Sequence, residues 1–411
     1  MMLLAAPGSL LAQGVPQGPE FRVNTYTTTG QVGGAVASRD NSGAYMVVWS
    51  SQNQAGDDVG IFGQRYESFG GAPLGGEFHV NTYTTNQQRN PSVACDVLGD
   101  FFVVWHSLDQ DGSGAGIFAQ RYLGNGAPLG SEFQVNSYTG GDQAFPAVAA
   151  DSNSAFVVVW ASATQDGSLE GIFAQRYASA AHPLGGEFRV NTYTPGAQSY
   201  PAVASDSAGT FIVVWSSDQQ DGSGLGIFAQ RYSFTGTPLG GEFRVNSYTT
   251  SQQRFPSVTF SGSQFVVAWQ SFGQDGDSEG VFAQRFYYTG KPMGGEFRVN
   301  SYTTSSQSNP KVASDLNGNL VVVWQSYTQD DPTDSGVFGQ RFKSYTGAAL
   351  GGEFQINTYT TGAQFFPAVA SGSGDFLVVW TSYMQDGSSF GVFGQRYNMI
   401  YPVELTSFEV E

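Results

Sequence analysis

Two residue types recur in this chain with the spacing that sugar recognition would use. Amide side chains stand at Gln88, Gln143, Gln198, Gln253, Gln307 and Gln364, and Gln31 begins the same series. Two residues beyond four of them come aromatic rings, Phe145, Tyr200, Phe255 and Phe366, while Asn90 and Asn309 hold that place in two further copies. An amide both donates and accepts, so it can meet a sugar hydroxyl in either sense. A ring offers a flat apolar face for the C–H side of a pyranose. These ten residues are the predicted ligand-binding set. The rival reading is structural: the amides brace loops, and the rings pack one repeat against the next.

Other recurring groups point to structure first. A second series, Gln54, Gln110, Gln165, Gln220, Gln274, Gln329 and Gln385, also suits loop bracing. The arginines of Gln-Arg-Tyr/Phe account for seven of the 17 basic residues. Hairpin register predicts Arg231 opposite Glu242, Arg176 opposite Glu187 and Arg285 opposite Glu296, as cross-strand ion pairs. Asp111, Asp166, Asp221, Asp275, Asp330 and Asp386 occupy one equivalent position, with Ala55 in the first copy. Calcium wants six to eight oxygens, and only Asp275–Asp277–Glu279 and Asp330–Asp331–Asp334 are rich enough to suggest it. Aspartate before glycine is ordinary turn chemistry, so no metal ligand is assigned and calcium is a minor reading.

No catalytic residue is assigned either. His79, His106 and His182 fall at three different repeat positions and should not converge on a metal or a triad. A glycosidase needs two carboxylates about 5–9.5 Å apart. Equivalent acids in different repeats are too widely separated for that, unless they line a common axis. A carbohydrate-active enzyme is the third-ranked expectation.

The elements that would position these residues follow from the seven tryptophans. Trp49, Trp105, Trp160, Trp215, Trp269, Trp324 and Trp380 are separated by 56, 55, 55, 54, 55 and 56 residues. Each unit carries four short apolar runs divided by turn residues, as in Pro201-Ala-Val-Ala, Phe211–Trp215, Gly226–Tyr232 and Glu242–Asn246. Phe-Ile-Val-Val-Trp lacks polar alternation, as a strand covered on both faces should. Seven units of four antiparallel strands, without a helical period, predict an all-β, seven-bladed β-propeller over residues 18–397. The first unit begins with a lone fourth strand, 20–24, and the last stops after three. The N-terminal strand should therefore complete the last blade and close the ring, leaving no open edge. Pro-x-Val-Ala should line the central channel. The outer-to-inner and second-to-third strand loops should share one face, the predicted binding face.

Composition bounds the partners. The formal charge of −17 and only 12% charged residues disfavour nucleic acid and anionic membranes, which call for basic patches. Cys95 is the single cysteine, expected as a buried, inert thiol. Residues 1–13 have the apolar and small-residue parts of a secretory signal without its basic start, so a truncated signal and export are expected. No later segment approaches a transmembrane length.

The words Glu-Phe-Arg-Val-Asn-Thr-Tyr-Thr, Phe-Val-Val-Val-Trp, Gln-Asp-Gly-Ser and Gly-Ile-Phe-Ala-Gln-Arg-Tyr resemble the tandem repeats of large secreted bacterial surface proteins. These include hemolysin-type and adhesin-like proteins, and the repeats are broadly similar to the FG-GAP class of propeller repeats. The chain lacks glycine-rich nonapeptide arrays and a full Asp-x-Asp-x-Asp-Gly loop, so the resemblance carries no calcium with it. The tail Pro402-Val-Glu-Leu-Thr-Ser-Phe resembles the junction preceding C-terminal sorting domains of Bacteroidota-type secreted proteins. It makes 398–411 a linker to a sorting domain lying beyond the sequence. The resulting expectation is a secreted or surface-displayed binding or adhesion module, its partner a glycan or surface protein. A self-associating scaffold is the alternative.

Overall fold

The computed structural model describes residues 14–38, 44–56, 58–67, 71–315, 317–372 and 374–398. The expected signal (1–13) and nearly all of the expected linker lie outside them. Seven antiparallel sheets make up the molecule, and the described residues contain no helix. The fourth blade illustrates the order from axis to rim: Gln198–Ser205, Phe211–Asp218, Leu225–Tyr232 and Phe243–Arg244. Inner strands of successive blades touch around a full circle, the last (Gln364–Ser371) meeting the first (Gln31–Ser38).

The seventh blade is completed from the other end of the chain. Phe21 pairs with Gly394 and Arg22 with Phe393, the places that Phe78 and His79 take against Gly63 and Phe62 in the first blade. Side chains repeat the closure: Val392 N–H donates to Asn24 Oδ1 at 2.7 Å, and Thr358 N–H to Glu20 Oε2 at 2.7 Å. A short strand, Val15–Pro16, adds a fifth member to this sheet alone.

The second strands are buried because each is sandwiched between neighbouring blades. All seven tryptophans are 0% exposed. Trp215 sits among Val157, Val159, Ile172 and Val190 of the third blade and Phe211, Val213 and Phe228 of its own. The hydrophobic core is thus a set of seven inter-blade layers. Complete burial of one such side chain stabilises by roughly 2–3 kcal/mol before its packing is counted. Tyrosines closing the third strands reach across the same seams, Tyr177 O–H donating to Val135 O at 3.2 Å and Tyr232 O–H to Val190 O at 3.3 Å.

The predicted arginine–glutamate pairs do not form. Ala229 faces Phe243, which sets Gln230, not Arg231, level with Glu242. A slip of one residue sends the two side chains to opposite faces of the sheet. Arg231 instead donates to Thr289 O of the next blade at 2.7 Å, and Arg285 to Tyr345 O at 2.7 Å. The glutamates accept from the second glutamine series, Gln110 donating to Glu132 at 2.6 Å and Gln220 likewise to Glu242. Their other oxygen holds the loop entering the blade, as Thr192 N–H to Glu242 at 2.6 Å. Cys95, expected to be buried, is half-buried at the far end of its inner strand.

Candidate functional site at the channel mouth

Every inner strand breaks register at the same point. Pairing skips between Val32 and Ala35, Arg89 and Ser92, Ala144 and Ala147, Ser199 and Ala202, Arg254 and Ser257, Ser308 and Lys311, and Phe365 and Ala368. Six of these bulges carry a proline, which a bulge tolerates because no ladder hydrogen bond is needed from it. A bulge also re-aims the side chain beside it. The residues so turned are Gly33, Asn90, Phe145, Tyr200, Phe255, Asn309 and Phe366. All have positive φ: 69° for Gly33, 51° and 53° for the asparagines, and 52–54° for the four aromatics.

That conformation is natural for Gly33 and acceptable for the asparagines. For a large aromatic ring it is strained by about 1–3 kcal/mol. The four rings nonetheless stand at the mouth of the axial channel, a cavity of about 440 Å³ whose walls are the seven inner strands. Phe145, Tyr200 and Phe255, on three successive blades, form a continuous arc with centroid separations of 5.0 and 4.4 Å. The Arg254 guanidinium lies 5.4 Å from the Phe255 centroid and pairs with Glu279 at 2.7 Å. Phe145 is 36% and Phe366 49% exposed, so both present free ring surface.

The glutamines do not belong to this surface. Gln88, Gln143, Gln198, Gln253, Gln307 and Gln364 open the inner strands and are 0% exposed. Each accepts from an asparagine seven residues earlier and donates to a loop carbonyl. Gln198 takes Asn191 Nδ2–H at 3.0 Å and gives to Pro195 O at 3.1 Å; Gln307 takes Asn300 at 3.1 Å and gives to Thr304 O at 2.9 Å. The same asparagines accept a third-strand N–H, as Ile172 to Asn191 at 2.7 Å. With both ends of the amide engaged and no accessible surface, these six side chains cannot meet a ligand. They are corrected to braces that set the loop, while the four aromatics remain candidates.

The acidic loops are likewise engaged in turns. Asp166 Oδ1 accepts from Ser168 N–H at 3.1 Å and its Oδ2 from Asn191 at 3.2 Å. In the two acid-rich loops, Asp277 accepts from Ser305 N–H at 2.8 Å and Asp331 from Thr333 N–H at 2.8 Å. Among the described residues no three His, Cys, Asp or Glu side chains gather as a metal would require. His79 stacks on Phe62 at 4.7 Å, and His106 faces Arg89 across the strands of the second blade. Burial, with the charge of Arg89 adding to it and Asp142 opposing, pulls His106 down to about 4.

Two of the larger hollows among the described residues lie outside the channel. A rim groove of about 570 Å³ between the fifth and sixth blades is lined by Gln274, Asp275, Asn300 and Glu353, members of the repeated bracing set. A cavity of about 440 Å³ beside Gly33 is bounded by Arg89, Asn90, Phe366 and Phe390 and continues the channel mouth outward. The residue the sequence reading passed over is Lys311. Its signal was present: Pro-Lys-Val-Ala stands where the other proline-bearing copies read Pro-Ala or Pro-Ser.

Comparison with known proteins extends the fold and little else. No family model matches the chain, and no curated protein matches it. Among solved structures, a protein of unknown function from Dyadobacter fermentans aligns with a TM-score of 0.57 at 10% identity, covering 96% of this chain and 100% of that one. The phage phi92 endosialidase aligns with a TM-score of 0.51 at 7% identity, over 96% of this chain and 71% of that one. An α-L-arabinanase of Penicillium chrysogenum, solved with arabinobiose, gives a TM-score of 0.50 at 15% identity, over 75% and 92%.

Proposed function

We propose that this chain is a secreted or cell-surface propeller that binds a glycan at the mouth of its axial channel. The observation that carries the reading is the set of four aromatic residues held at positive φ around that mouth. Gly33 marks what the backbone itself prefers there. Strained rings, two of them exposed and two half-buried, kept where glycine or asparagine suffices are in keeping with a binding demand. The arc of three rings offers a stacking platform wider than one sugar, and the cavity volume falls within the ~300–1,000 Å³ of small-ligand sites. The arabinanase and the endosialidase bear carbohydrate-directed names, in keeping with the reading. At 7–15% identity, however, that likeness is one of fold.

The described channel lining contains no Asp or Glu. Glycoside hydrolysis ordinarily takes two carboxylates, so the proposed activity is binding without cleavage. Export rests on the N-terminal composition and on the resemblance of the repeats to secreted surface proteins. A glycan array probed with wild type and with Phe145→Ala, Tyr200→Ala and Phe255→Ala tests the binding. Ring-dependent retention is expected; an array on which the folded wild type binds nothing would sink the reading.

A second reading has its own observation. On the opposite face, hairpin residues Phe234 and Leu98 are 65% and 64% exposed, as suits a contact with a second protein. Sedimentation over a concentration series tests it; a monomer throughout would exclude self-assembly, the form of contact expected from the sequence.

A further inference from the structure

Among the described residues lining the channel cavity, Lys311 alone is charged. At the depth just below the mouth the seven blades place Ala35, Ser92, Ala147, Ala202, Ser257, Lys311 and Ala368. Lys311 is two residues beyond Asn309 on the inner strand Gln307–Ser314 of the sixth blade. Its side chain is exposed to the solvent of the channel, and the protein surrounding the channel lowers its pKa below the usual lysine value. None of the described lining residues is a carboxylate. Arg254, beside Phe255, is paired with Glu279 at 2.7 Å.

Six equivalent positions hold alanine or serine, so the ring is built without a cation there. Nothing in the blade architecture calls for Lys311. The channel polarity also runs against the rest of the molecule, whose formal charge is −17. At physiological salt the Debye length is about 8 Å, so the distant surface acids are screened from an anion in contact with the ammonium. An anion placed beside Lys311 would favour its charged form.

We infer that Lys311 is the anchor for an anionic substituent of the bound glycan, a carboxylate or a sulfate ester, reached past the aromatic arc at the channel mouth. This rests on the glycan-binding reading and narrows it to acidic sugars. Phe145, Tyr200 and Phe255 stack the ring faces, and Lys311 fixes which sugar enters the channel. Recognition is by a point charge rather than a bidentate fork, so the site selects charge more than the shape of the acid group.

The test uses matched probes in calorimetric titration: tetragalacturonate with its methyl ester, and a sulfated carrageenan tetrasaccharide with its desulfated form. Wild type is compared with Lys311→Ala and Lys311→Met; alanine already stands at this depth in four blades, so folding should be preserved. The expected result is a preference of roughly tenfold to hundredfold for at least one acidic member over its neutral partner. That preference should vanish in both variants while neutral-sugar affinity stays. The pair that shows it tells carboxylate from sulfate. A preference that survives Lys311→Ala, or equal binding within both pairs, overturns the inference and leaves glycan binding standing. Failure of both acidic probes to bind also overturns it, and only an empty array of all glycans removes the parent reading with it.

Discussion

The inter-blade seams and the channel mouth are built by the same seven repeats under opposite demands. At the seams the same residue recurs seven times: tryptophan, 0% exposed, packed against the neighbouring blade. At the mouth seven equivalent backbone positions hold Gly33, two asparagines and four aromatics, and one step deeper a single lysine. Uniformity marks what every blade must have to be a blade. Divergence marks positions that the fold leaves free, and the strain at those positions is what the glycan-binding proposal rests on.

Replacing a seam residue should have the largest effect. Trp215→Ala should destabilise by about 3–5 kcal/mol in chemical denaturation. Trp105→Ala or Trp269→Ala should do so equally, because each lies in an equivalent layer. A markedly cheaper substitution in one blade would break the claim that the seams are uniform.

The second blade offers a smaller, pH-dependent contrast. His106 occupies the place taken by Ser50 and Ser216 and is lowered to about 4 from an ordinary 6.5. Between those values the unfolded chain binds the proton and the folded one does not, so stability falls as pH falls through that window. The loss should reach roughly 2 kcal/mol, discounted for partial exposure, and His106→Ser should lose less over the same range. Identical acid profiles would place the titration elsewhere.

Ring closure comes next. Glu20→Ala removes the acceptor for Gln385 and for Thr358 N–H, so it should cost about 1–2 kcal/mol and lower the melting temperature of the whole ring. An unchanged melting profile would mean that the terminal strand does not complete the cooperative unit. Mouth substitutions should be the mildest for stability: Phe145→Gly relieves the positive φ and should change stability by no more than about 1 kcal/mol, in either direction.

The same contrast explains what was legible in the sequence. Tryptophan spacing and the lone Glu20–Asn24 strand foretold the blade count and the closure, because burial and strand pairing leave periodic signals. Gln88 and its five equivalents look like a site in the sequence because they are polar and lie on the face predicted to bind. Their sevenfold recurrence with Gln31 was the structural signal, and the Asn–Gln–loop network they complete joins residues seven apart through backbone geometry that composition does not reveal. Counting around the turn pairs Arg231 with Glu242, but the register is one residue off, and that slip puts Arg231 on the opposite face. The positive φ of Phe145, Tyr200, Phe255 and Phe366 was invisible, since a bulge is a property of pairing. Lys311 was visible only as one departure among seven near-copies.

The central claim separates a structural seam from a functional mouth, and one protein tests it most directly: Phe145→Asn, Tyr200→Asn and Phe255→Asn combined, with asparagine chosen because Asn90 and Asn309 already stand there. Its melting temperature and its calorimetric affinity for the best array glycan should be measured side by side with wild type. The account predicts melting unchanged or higher and affinity reduced by roughly a hundredfold, about 1 kcal/mol for each lost ring. Affinity within twofold of wild type, or a ring that no longer folds, would contradict it.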